Sequence, residues 1–542
     1  MLRGFVALYF MRVSTYEIIL PLLDENETEI PDHLLFMNGL YGAIDIVEKK
    51  YAEKIKATKF EEVPPSLIER LALRGHLTHR SEAEEVADMK LLSRIHRKTI
   101  GNINIGILIM PTYDCNFRCP YCYEQRRLKK GKAWLEHTIT DEVIEATFSA
   151  LNNYRVRGYN VDKLTFYGGE PFLEKNLPVV RKISQYAHNA GMKLSAITNG
   201  YDLEAFLDIL SEFNFTYLQV TIDGVGELNN RLRIHKNGGD TYERILANME
   251  RVLECGVGID LRVNVGSENL HGIKDLIEDL KARGFIDKEK AREEEEKILR
   301  QTNPEAKTRR GKFFCYLKTV DDYFKDRPEK KVREQSVVEE LLKAGMSLQE
   351  AIRYPNQYNS AAAILFKLLS KKSFIDFDPA FCSAVTGTIF VDPFGRLYPC
   401  YDFIDKAGME IGTVDVKHGR FSTNFDWAKW QTRTADLLEN CQACPYCFIC
   451  RGGCAGRASF YCGDWQREYC GEHKEVFNFV ASRLVGRYWK KSHVEEMSLS
   501  LAEVLSRLSA KEREIFMTSN NRKELFEMAK DTGIFSSKFK VG

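Results

Sequence analysis

Three cysteines in one short loop constrain this chain more than any other feature of its sequence. Cys115, Cys119 and Cys122 are spaced Cys-x3-Cys-x2-Cys and directly follow the apolar, alternating run Ile103–Met110. Three thiolates can hold three irons of a [4Fe–4S] cluster and leave the fourth iron open, and an open coordination position is where metal chemistry takes place. The alternative is half of a zinc site, although zinc favours paired Cys-x2-Cys units and four ligands. The spacing therefore indicates an iron–sulfur site at the end of a strand.

The remaining cysteines are clustered as well. Of the 14 cysteines, three lie at 115–122 and nine lie between Cys382 and Cys470. Disulfides are rare in the cytosol, where cysteines grouped in two blocks favour metal binding over disulfide bridges. The opening segment Met1–Met11 lacks the small-residue cleavage site of a signal peptide, so it predicts a first strand in a cytoplasmic protein.

The chain alternates between β and α patterns from residue 101 onwards. Six strand candidates are separated by helical stretches: Ile103–Met110, Lys163–Tyr167, Lys193–Thr198, Tyr217–Ile222, Ile259–Val265 and Phe313–Leu317. Repeats of this kind predict a parallel sheet with right-handed crossovers, most simply a partial (β/α)6 TIM-type barrel. In such barrels the chemistry lies at the C-terminal ends of the strands, which is where the cysteine loop falls.

The complete chain is predicted to be an α/β protein of four parts, because 542 residues exceed one compact domain. Residues 1–100 form an N-terminal module, 101–375 the barrel with a charged insertion near 286–345, 376–485 a cysteine-rich domain, and 486–542 a helical tail. With 78 Lys+Arg against 77 Asp+Glu, no global charge favours nucleic acid or an anionic membrane as a partner. No apolar run approaches the length that spans a bilayer.

A second motif, Gly168-Gly169-Glu170-Pro171, ends the second predicted strand. Two glycines would let a small charged ligand approach the backbone closely, which exposes carbonyls and a carboxylate to a cation. Alone, the sequence is a turn, but one βα unit after the cysteine loop it indicates a ligand site. Polar residues at later strand ends suit ribose hydroxyls and a carboxylate: Thr198, Asn199, Thr221, Asp223, Arg233, Arg262 and Asn264.

The cysteine loop and the Gly-Gly-Glu motif together resemble the signature of the radical S-adenosylmethionine (SAM) enzymes. The resemblance implies a [4Fe–4S] cluster on the three loop cysteines, whose reduced form cleaves SAM to methionine and a hydrogen-abstracting 5′-deoxyadenosyl radical. It implies that Gly168, Gly169 and Glu170 hold the amino group of the methionine moiety. The other implied SAM contacts are Tyr121 at the adenine, Thr198, Asn199, Thr221, Asp223 and Arg233.

The second cysteine block resembles the seven-cysteine SPASM domain, which holds two auxiliary [4Fe–4S] clusters, and Arg451-Gly-Gly-Cys454 is typical of it. The Cys-x2-Cys pair alone would favour a zinc ribbon, whereas the full seven-cysteine pattern does not. The scheme of the family assigns four ligands to the outer cluster: Cys441, Cys444, Cys450 and Cys470. It assigns three to the inner cluster: Cys382, Cys400 and Cys454. The chain would then carry three clusters.

The inner cluster has three assigned ligands, because no cysteine stands in the residues just before Cys382. Either its fourth iron is open, where a substrate thiolate could bind, or a distant ligand such as Cys315 completes it. Cys447, Cys462 and Cys255 lie outside the scheme and are predicted to be structural or spare.

SPASM proteins mostly modify peptides or proteins, so the leading prediction is a maturase that forms a thioether or other side-chain crosslink in a ribosomally made peptide. The first alternative is an anaerobic sulfatase-maturing enzyme, in which an Asp acting as base directly follows the Cys of the Gly-x4-Cys unit. Here Tyr401 follows Cys400 and Asp402, the candidate base, comes one residue later. The second alternative is a non-catalytic iron–sulfur electron carrier, which would not need Gly168–Glu170.

The N-terminal module has strand patterns at Tyr16–Leu23 and Leu34–Val47, followed by helical patterns that include Glu82–Arg97. This winged-helix-like order resembles the peptide-recognition element of peptide-modifying radical enzymes, where a leader peptide adds to an exposed strand edge. A structural cap on the barrel is the alternative. The expected partners are a precursor peptide or protein and an electron donor such as ferredoxin or flavodoxin.

Overall fold

The computed structural model describes residues 11–24, 27–99, 104–286, 311–320, 332–369, 378–489, 505 and 507–532. Within these residues the chain forms two compact units. The first comprises residues 1–102, 357–386 and 430–542, and the second comprises 103–356 and 387–429. The strand predicted before residue 11, most of the charged insertion and parts of the helical tail lie outside the described residues. The division into four parts stays a prediction.

The first unit opens with a small mixed module. Its elements are β1 (Arg12–Val13), β2 (Glu17–Leu23), β3 (Glu29–Asn38), β4 (Ile44–Glu48), α1 (Lys49–Lys56), α2 (Pro65–Leu73), β5 (Leu77–Thr78) and α3 (Glu82–Thr99). The strands β2, β3 and β4 form an antiparallel sheet in that order, and β1 pairs with β5. Alternate residues of β2 are buried, as expected for a strand with one face on a core. Strands followed by helices give the order predicted for a winged-helix-like module.

A buried cluster of charged side chains connects this sheet to the loop before β5. His76 Nδ1 lies 2.9 Å from a carboxylate oxygen of Glu17, and its Nε2 lies 2.9 Å from Asp45 Oδ2. Arg74 forms an ion pair with the same Asp45. Burial acts to lower the pKa of His76, but the two carboxylates outweigh it and raise that pKa to about 9. His76 is therefore a cation held between two acidic side chains.

The second unit is built from strands that alternate with helices. Its first strands and helices are β6 (Gly106–Ile109), α4 (Gln125–Leu128), α5 (Lys132–Leu135), α6 (Asp141–Val156), β7 (Lys163–Phe166), α7 (Leu177–Asn189), β8 (Lys193–Thr198), α8 (Leu207–Glu212), β9 (Phe215–Thr221), α9 (Glu227–Leu232), α10 (Tyr242–Glu254), β10 (Gly258–Val265), α11 (Ile273–Ala282), β11 (Phe313–Thr319), α12 (Glu334–Lys343) and α13 (Leu348–Ala351). The helices α14 (Asn356–Leu369) and α15 (Ser383–Thr386) follow in the chain.

The six strands β6 to β11 are parallel and lie side by side in chain order. Most of β10 is buried, because a parallel sheet is covered by helices on its faces. The predicted α/β class and partial barrel are confirmed, and the bounds of β8 are those predicted from the sequence. Since neighbouring parallel strands end at the same edge, the polar residues after β6 to β10 are brought to one side of the sheet.

Four strands of the cysteine-rich segment extend the same sheet beyond β6. They are β12 (Thr388–Val391), β13 (Arg396–Tyr398), β14 (Gly412–Asp415) and β15 (Arg420–Thr423). The strand β12 runs parallel to β6, and the other three follow as antiparallel neighbours, so that the sheet has ten strands. This extension did not follow from the sequence pattern, because pairing between β12 and β6 joins residues almost 300 positions apart. It covers an edge of β6 that would otherwise be exposed.

The remaining regular elements of the described chain are helices. It contains α16 (Phe425–Gln431), α17 (Cys447–Cys450), α18 (Ala455–Cys462), α19 (His473–Trp489), α20 (Ala510–Thr518) and α21 (Arg522–Asp531). All 14 cysteines fall within the described residues, and they form no disulfide there. In the part of the chain that the structure describes, no helix combines the length and apolarity needed to cross a bilayer.

Candidate active site

The three loop cysteines lie just past the carboxyl end of β6. Cys115 Sγ accepts a hydrogen bond from the Phe117 amide at 3.3 Å, and the Cys122 amide donates to the Cys119 carbonyl at 3.1 Å to close a turn. Burial raises the pKa of each of the three thiols. Cys119 and Cys122 also act on Cys115 electrostatically, so the three thiols are neighbours. Buried thiols of this kind ionise when a metal centre replaces the proton, which fits an iron–sulfur cluster.

The glycine pair at the end of β7 packs against the cysteine loop. A Cβ atom on Gly168 would overlap the carbonyl oxygen of Thr112, and one on Gly169 would overlap those of Tyr113 and Asp114. The Glu170 amide donates to the Asp114 carbonyl at 2.8 Å. The space that their Cβ atoms would need is occupied, and the predicted approach of a ligand to the backbone of both glycines stays a prediction. That space is taken up by the backbone of the loop, which the glycines allow to approach β7.

Glu170 is buried, and its carboxylate is oriented by three neutral donors. The Thr198 hydroxyl donates to it at 2.7 Å, and the amides of Asn199 and Phe172 donate at 2.6 and 2.9 Å. Burial raises the pKa of Glu170 to about 7, against the effect of these hydrogen bonds. Two carboxylate oxygens have about four lone-pair sites, so the group retains capacity for a cationic ligand. A ligand ammonium group matches this environment.

A second buried network joins the ends of β9 and β10 to the cysteine loop. The Tyr121 hydroxyl donates to the Asp223 carboxylate and accepts from Arg233 Nη1 at 3.2 Å. The Asn264 amide donates to Asp223 at 2.8 Å. Arg233 Nε is buried without a hydrogen-bond partner among the described residues. This unsatisfied donor fits a carboxylate ligand, because a guanidinium group binds carboxylates through several N–H groups.

The two networks bring together most of the residues predicted for the cofactor site. Asn199 Nδ2 lies 4.0 Å from Cys115 Sγ and donates to Asn116 at 2.6 Å, which links the β8 end to the cysteine loop. Thr221 is buried at the end of β9. The donor set thus offers thiols, carboxylates, a guanidinium group and hydroxyls around one sheet edge. These groups match the iron cluster and the ammonium, carboxylate and ribose groups of SAM.

Several tyrosines that are not among the predicted site residues line the same sheet edge. The hydroxyls of Tyr123 and Tyr167 form a hydrogen bond, and the Tyr401 ring lies 5.7 Å from that of Tyr123. Arg262 interacts electrostatically with several of these tyrosines. Tyr316 donates to Gln219 Oε1 at 2.8 Å. Tyr167 directly follows β7, which is a signal that the sequence contains. Its contact with Tyr123, and the contact of Tyr123 with Tyr401, became known from the fold.

Asp402, the candidate base, is buried in a short 3-10 turn after β13. Its Oδ2 atom lies 4.0 Å from the Sγ atom of Cys400. Cys400 belongs to the second unit.

Cys315 lies on β11, next in the chain to Tyr316. Because successive side chains of a strand face opposite sides, Cys315 points away from the tyrosine-lined side.

Four predicted outer-cluster ligands are neighbours in the first unit. Burial raises the pKa of Cys441 to about 12, and the next causes are Cys450, Cys444 and Cys470. Cys447, predicted to be spare, is completely buried beside the same group. No three Cys, His, Asp or Glu side chains of the described chain converge as ligands of a single metal ion would. A cubane cluster spreads its thiolates around four irons, so neighbouring but separate thiols fit a cluster.

Two of the predicted inner-cluster ligands, Cys382 and Cys454, also lie in the first unit. Desolvation of the thiol, together with the nearby Cys454, raises the pKa of Cys382 to about 11. Cys462 Sγ lies 3.8 Å from the Glu468 carbonyl oxygen. Cys255 follows α10 in the second unit.

Known proteins resemble the part of the chain that contains the cysteine loop and the strands around it. Residues 109–280 match the family model of the radical SAM superfamily. An S-adenosylmethionine-dependent nucleotide dehydratase of Psychrobacter lutiphocae is 27% identical over 187 residues, which cover 33% of this chain and 61% of that protein. The chain therefore spans less than two thirds of the length of this relative.

Two further similarities extend beyond the barrel. A cysteine-type anaerobic sulfatase-maturating enzyme of Clostridium perfringens is 24% identical over 404 residues, which cover 70% of this chain and 97% of that protein. A solved structure described as native anSMEcpe with bound AdoMet superposes with a TM-score of 0.50 at 19% identity and covers 70% of this chain and 96% of that one. The structural similarity supports the fold.

Proposed function

We propose that the chain is a radical SAM enzyme with a SPASM-type cysteine-rich region, and that it matures a ribosomally made peptide by forming a thioether or another side-chain crosslink. The observation that carries the chemistry is the contact between the cysteine loop and Gly168–Glu170. This contact holds three thiols and a buried carboxylate together at adjacent strand ends. When bound, the cluster and SAM supply a hydrogen-abstracting radical, and the protein orients the reacting groups and excludes water.

The residues around the sheet edge divide into proposed roles. Cys115, Cys119 and Cys122 would hold the first cluster. Glu170 would accept the SAM ammonium group, and Arg233 would donate to the SAM carboxylate through its unsatisfied Nε. The remaining proposed SAM contacts are Tyr121, Gly168, Gly169, Thr198, Asn199, Thr221 and Asp223. The substrate side chain would enter the tyrosine-lined region near Arg262.

The N-terminal module is the proposed binding site for the leader of the precursor peptide. In its three-stranded sheet β3 is central, and β4 is an edge strand that no other described strand pairs with on its outer side. At the other edge, β2 packs against α19, where Gly486 closely approaches the backbone of Leu23. An edge strand offers backbone N–H and C=O groups to an extended peptide. β4 is therefore the edge that supports strand addition.

Two auxiliary clusters are proposed in addition to the first. The outer one would use Cys441, Cys444, Cys450 and Cys470, and the inner one Cys382, Cys400 and Cys454. Because Cys315 points away from the tyrosine-lined side of its sheet, we favour an open iron at the inner cluster over ligation by Cys315. An open iron could bind the thiolate of a substrate cysteine, as thioether formation requires.

An electron donor such as ferredoxin or flavodoxin would supply the reducing electron. The segment after the cysteine loop presents exposed cations, among them Arg126, Lys129 and Lys132. Such a surface suits an acidic carrier protein, because complementary charge speeds association. Action in the cytoplasm is proposed because the cysteines are grouped in two blocks, which favours metal binding over disulfide bridges.

Sulfatase maturation is the second candidate, and the 404-residue similarity to the Clostridium enzyme favours it. The two functions predict different products. A thioether removes two hydrogens from the peptide and consumes one alkylatable thiol, whereas formylglycine formation replaces the thiol of a cysteine with an aldehyde oxygen. Mass spectrometry after anaerobic incubation with SAM and a reductant distinguishes them. A Cys-containing peptide encoded beside the gene and a sulfatase-derived peptide serve as parallel substrates.

A crosslink in the first peptide, lost in the Cys119→Ala variant, would support the proposal. An aldehyde in the second peptide alone would support sulfatase maturation. If reduced protein cleaves no SAM with either peptide present, the chain is not acting as a radical SAM enzyme, and electron transfer becomes the remaining reading.

A further inference from the structure

One buried arginine in the first unit joins the backbone segments that carry the predicted auxiliary ligands. Arg433 Nη1 donates to the Gly453 carbonyl at 2.6 Å, and Nη2 donates to the Gly452 carbonyl at 3.1 Å, directly before Cys454. Its Nε donates to the Trp465 carbonyl at 2.7 Å, and Nη2 also donates to the Arg467 carbonyl at 2.6 Å, on the segment that leads to Cys470.

A neighbouring contact holds the segment before Cys382 close to Arg433. The Ala435 amide donates to the Pro379 carbonyl at 2.9 Å, three residues before Cys382. The Trp430 ring stacks on Trp465, with centroids 4.3 Å apart. Arg433 thus lies at the junction of segments assigned to both auxiliary clusters, and one substitution can affect both.

No carboxylate accepts a hydrogen bond from Arg433 among the described residues, and Glu468 favours its charged form more weakly than the nearby cysteines do. Arg433 is only 3% exposed, and its four hydrogen bonds are accepted by neutral backbone carbonyls. Among the described residues, the groups that most favour its charged form are Cys382, Cys454 and Cys441. Burial disfavours a cation unless an opposite charge compensates it. Two of these thiols belong to the predicted inner cluster and one to the outer.

We infer that Arg433, which contacts segments that carry predicted ligands of both auxiliary clusters, is a shared counter-charge that raises the reduction potentials of both. The inference rests on the proposed cofactor content. A [4Fe–4S] cluster with thiolate ligands is anionic, and reduction adds one further negative charge. A fixed cation in a low-dielectric surrounding therefore stabilises the reduced form more than the oxidised form. Arg433 would act through the clusters, as a positioning and tuning residue, without touching the substrate.

The test compares three variants of the full-length protein, each loaded anaerobically with iron and sulfide. Arg433→Gln removes the charge, Arg433→Lys keeps it, and Arg97→Gln is the matched control. Arg97 donates to Thr434 Oγ1 at 2.7 Å and is neutralised by Asp436 at 2.7 Å, so it supports the same segment without supplying a free charge. Iron and sulfide content and EPR-monitored redox titration are the measurements.

The expected result is that Arg433→Gln lowers the midpoint potentials of both auxiliary clusters and leaves that of the first cluster unchanged. Arg433→Lys and Arg97→Gln should keep values close to wild type. If Arg433→Gln instead fails to load, the charge role requires that it loses both auxiliary clusters together and that Arg433→Lys retains them.

Unchanged potentials in a fully loaded Arg433→Gln protein would overturn the inference and leave the proposed function intact. Equal losses in Arg433→Lys and Arg433→Gln proteins of native circular dichroism would also overturn it, because they would show that the geometry of the guanidinium matters and its charge does not. Wild-type protein that binds only about 4 irons would instead reject the proposed auxiliary clusters themselves, and with them the inference.

Discussion

At the scale of single residues, the site depends on close approaches that allow no side chain. Gly168 and Gly169 let the backbone of the cysteine loop lie directly against the end of β7. Through this contact the Glu170 amide donates a hydrogen bond to the Asp114 carbonyl. The Glu170 carboxylate accepts hydrogen bonds from the Thr198 hydroxyl and the Asn199 amide. The same two residues therefore serve the cluster loop and the proposed ammonium site.

The Gly169→Ala variant should lose the first cluster. Its new methyl group would overlap two carbonyl oxygens, and overpacking of this kind costs roughly 1–3 kcal/mol or displaces the loop. We expect iron content to fall by about 4 atoms per chain and SAM cleavage to be lost together with the cluster. Gly266→Ala is the matched control, since a Cβ there meets no atom within 4 Å. Full iron content in Gly169→Ala would contradict the packing argument.

His76 should make the stability of the N-terminal module depend on pH. Its pKa in the folded protein is about 9, above the usual 6.5, because Glu17 and Asp45 favour the protonated ring. The stabilisation is therefore complete below pH 6.5 and is lost as the pH rises through about 9. Hydrogen exchange of β3 amides, measured between pH 6 and 10 and corrected for intrinsic rates, should show protection falling over this range.

The His76→Asn variant should abolish that pH dependence, because a neutral amide replaces the titrating ring. His271→Asn is the control, since its side chain is 81% exposed and pairs with Glu340. An unchanged pH profile in His76→Asn would mean that another group controls the module.

At the scale of secondary-structure elements, strand edges decide where the chain can accept a partner. The barrel sheet continues from β6 into β12, so this side of the barrel is closed by the chain itself. The N-terminal sheet ends at β4, where no described strand continues the ladder. The two sheets therefore differ in their capacity to add a peptide strand.

A precursor peptide should protect the amides of β4 from hydrogen exchange. Strand addition places backbone hydrogen bonds along Ile44–Glu48, and we expect exchange there to slow by about 10-fold at saturating peptide. A peptide without its leader segment is the control and should give no protection. Protection confined to other elements would place leader recognition elsewhere or show that the module is a structural cap.

At the scale of the whole molecule, both units are assembled from segments distant in the chain. The first combines the N-terminal module with the segment that holds most of the predicted auxiliary ligands, and the second combines the barrel with residues 387–429. The cysteine-rich region is thus divided between the units, with Cys400 in the second and Cys441 in the first.

The Cys441→Ala/Cys444→Ala double variant should lose one cluster and keep the others. Iron content should fall from about 12 to about 8 atoms per chain, because each [4Fe–4S] cluster contains four irons. The EPR signal of the first cluster should remain. Cys255→Ala and Cys462→Ala are the controls and should leave the iron content unchanged. Zinc in the purified wild-type protein, with no change in iron in the double variant, would contradict an outer iron–sulfur cluster.

Local sequence patterns were sufficient to predict the cysteine loop and the bounds of β8. The spacing of Cys115, Cys119 and Cys122 follows from the short reach of a loop around a cluster, and the bounds of β8 follow from an apolar run between turns. Residues 109–280, which contain both motifs, match the radical SAM superfamily. Strand-end residues such as Thr198 and Asp223 could be named for the same reason, since parallel strands end at one edge.

The contacts between distant residues became known from the structure. It placed β12 beside β6, filled the space next to Gly169 with the cysteine loop, and brought Arg433 to the segments before Cys454 and Cys470. Each of these contacts joins positions whose local patterns are uninformative, because pairing and burial depend on chain closure over long separations. Sequence therefore determined the reactive groups of this protein, and long-range packing determined their neighbours.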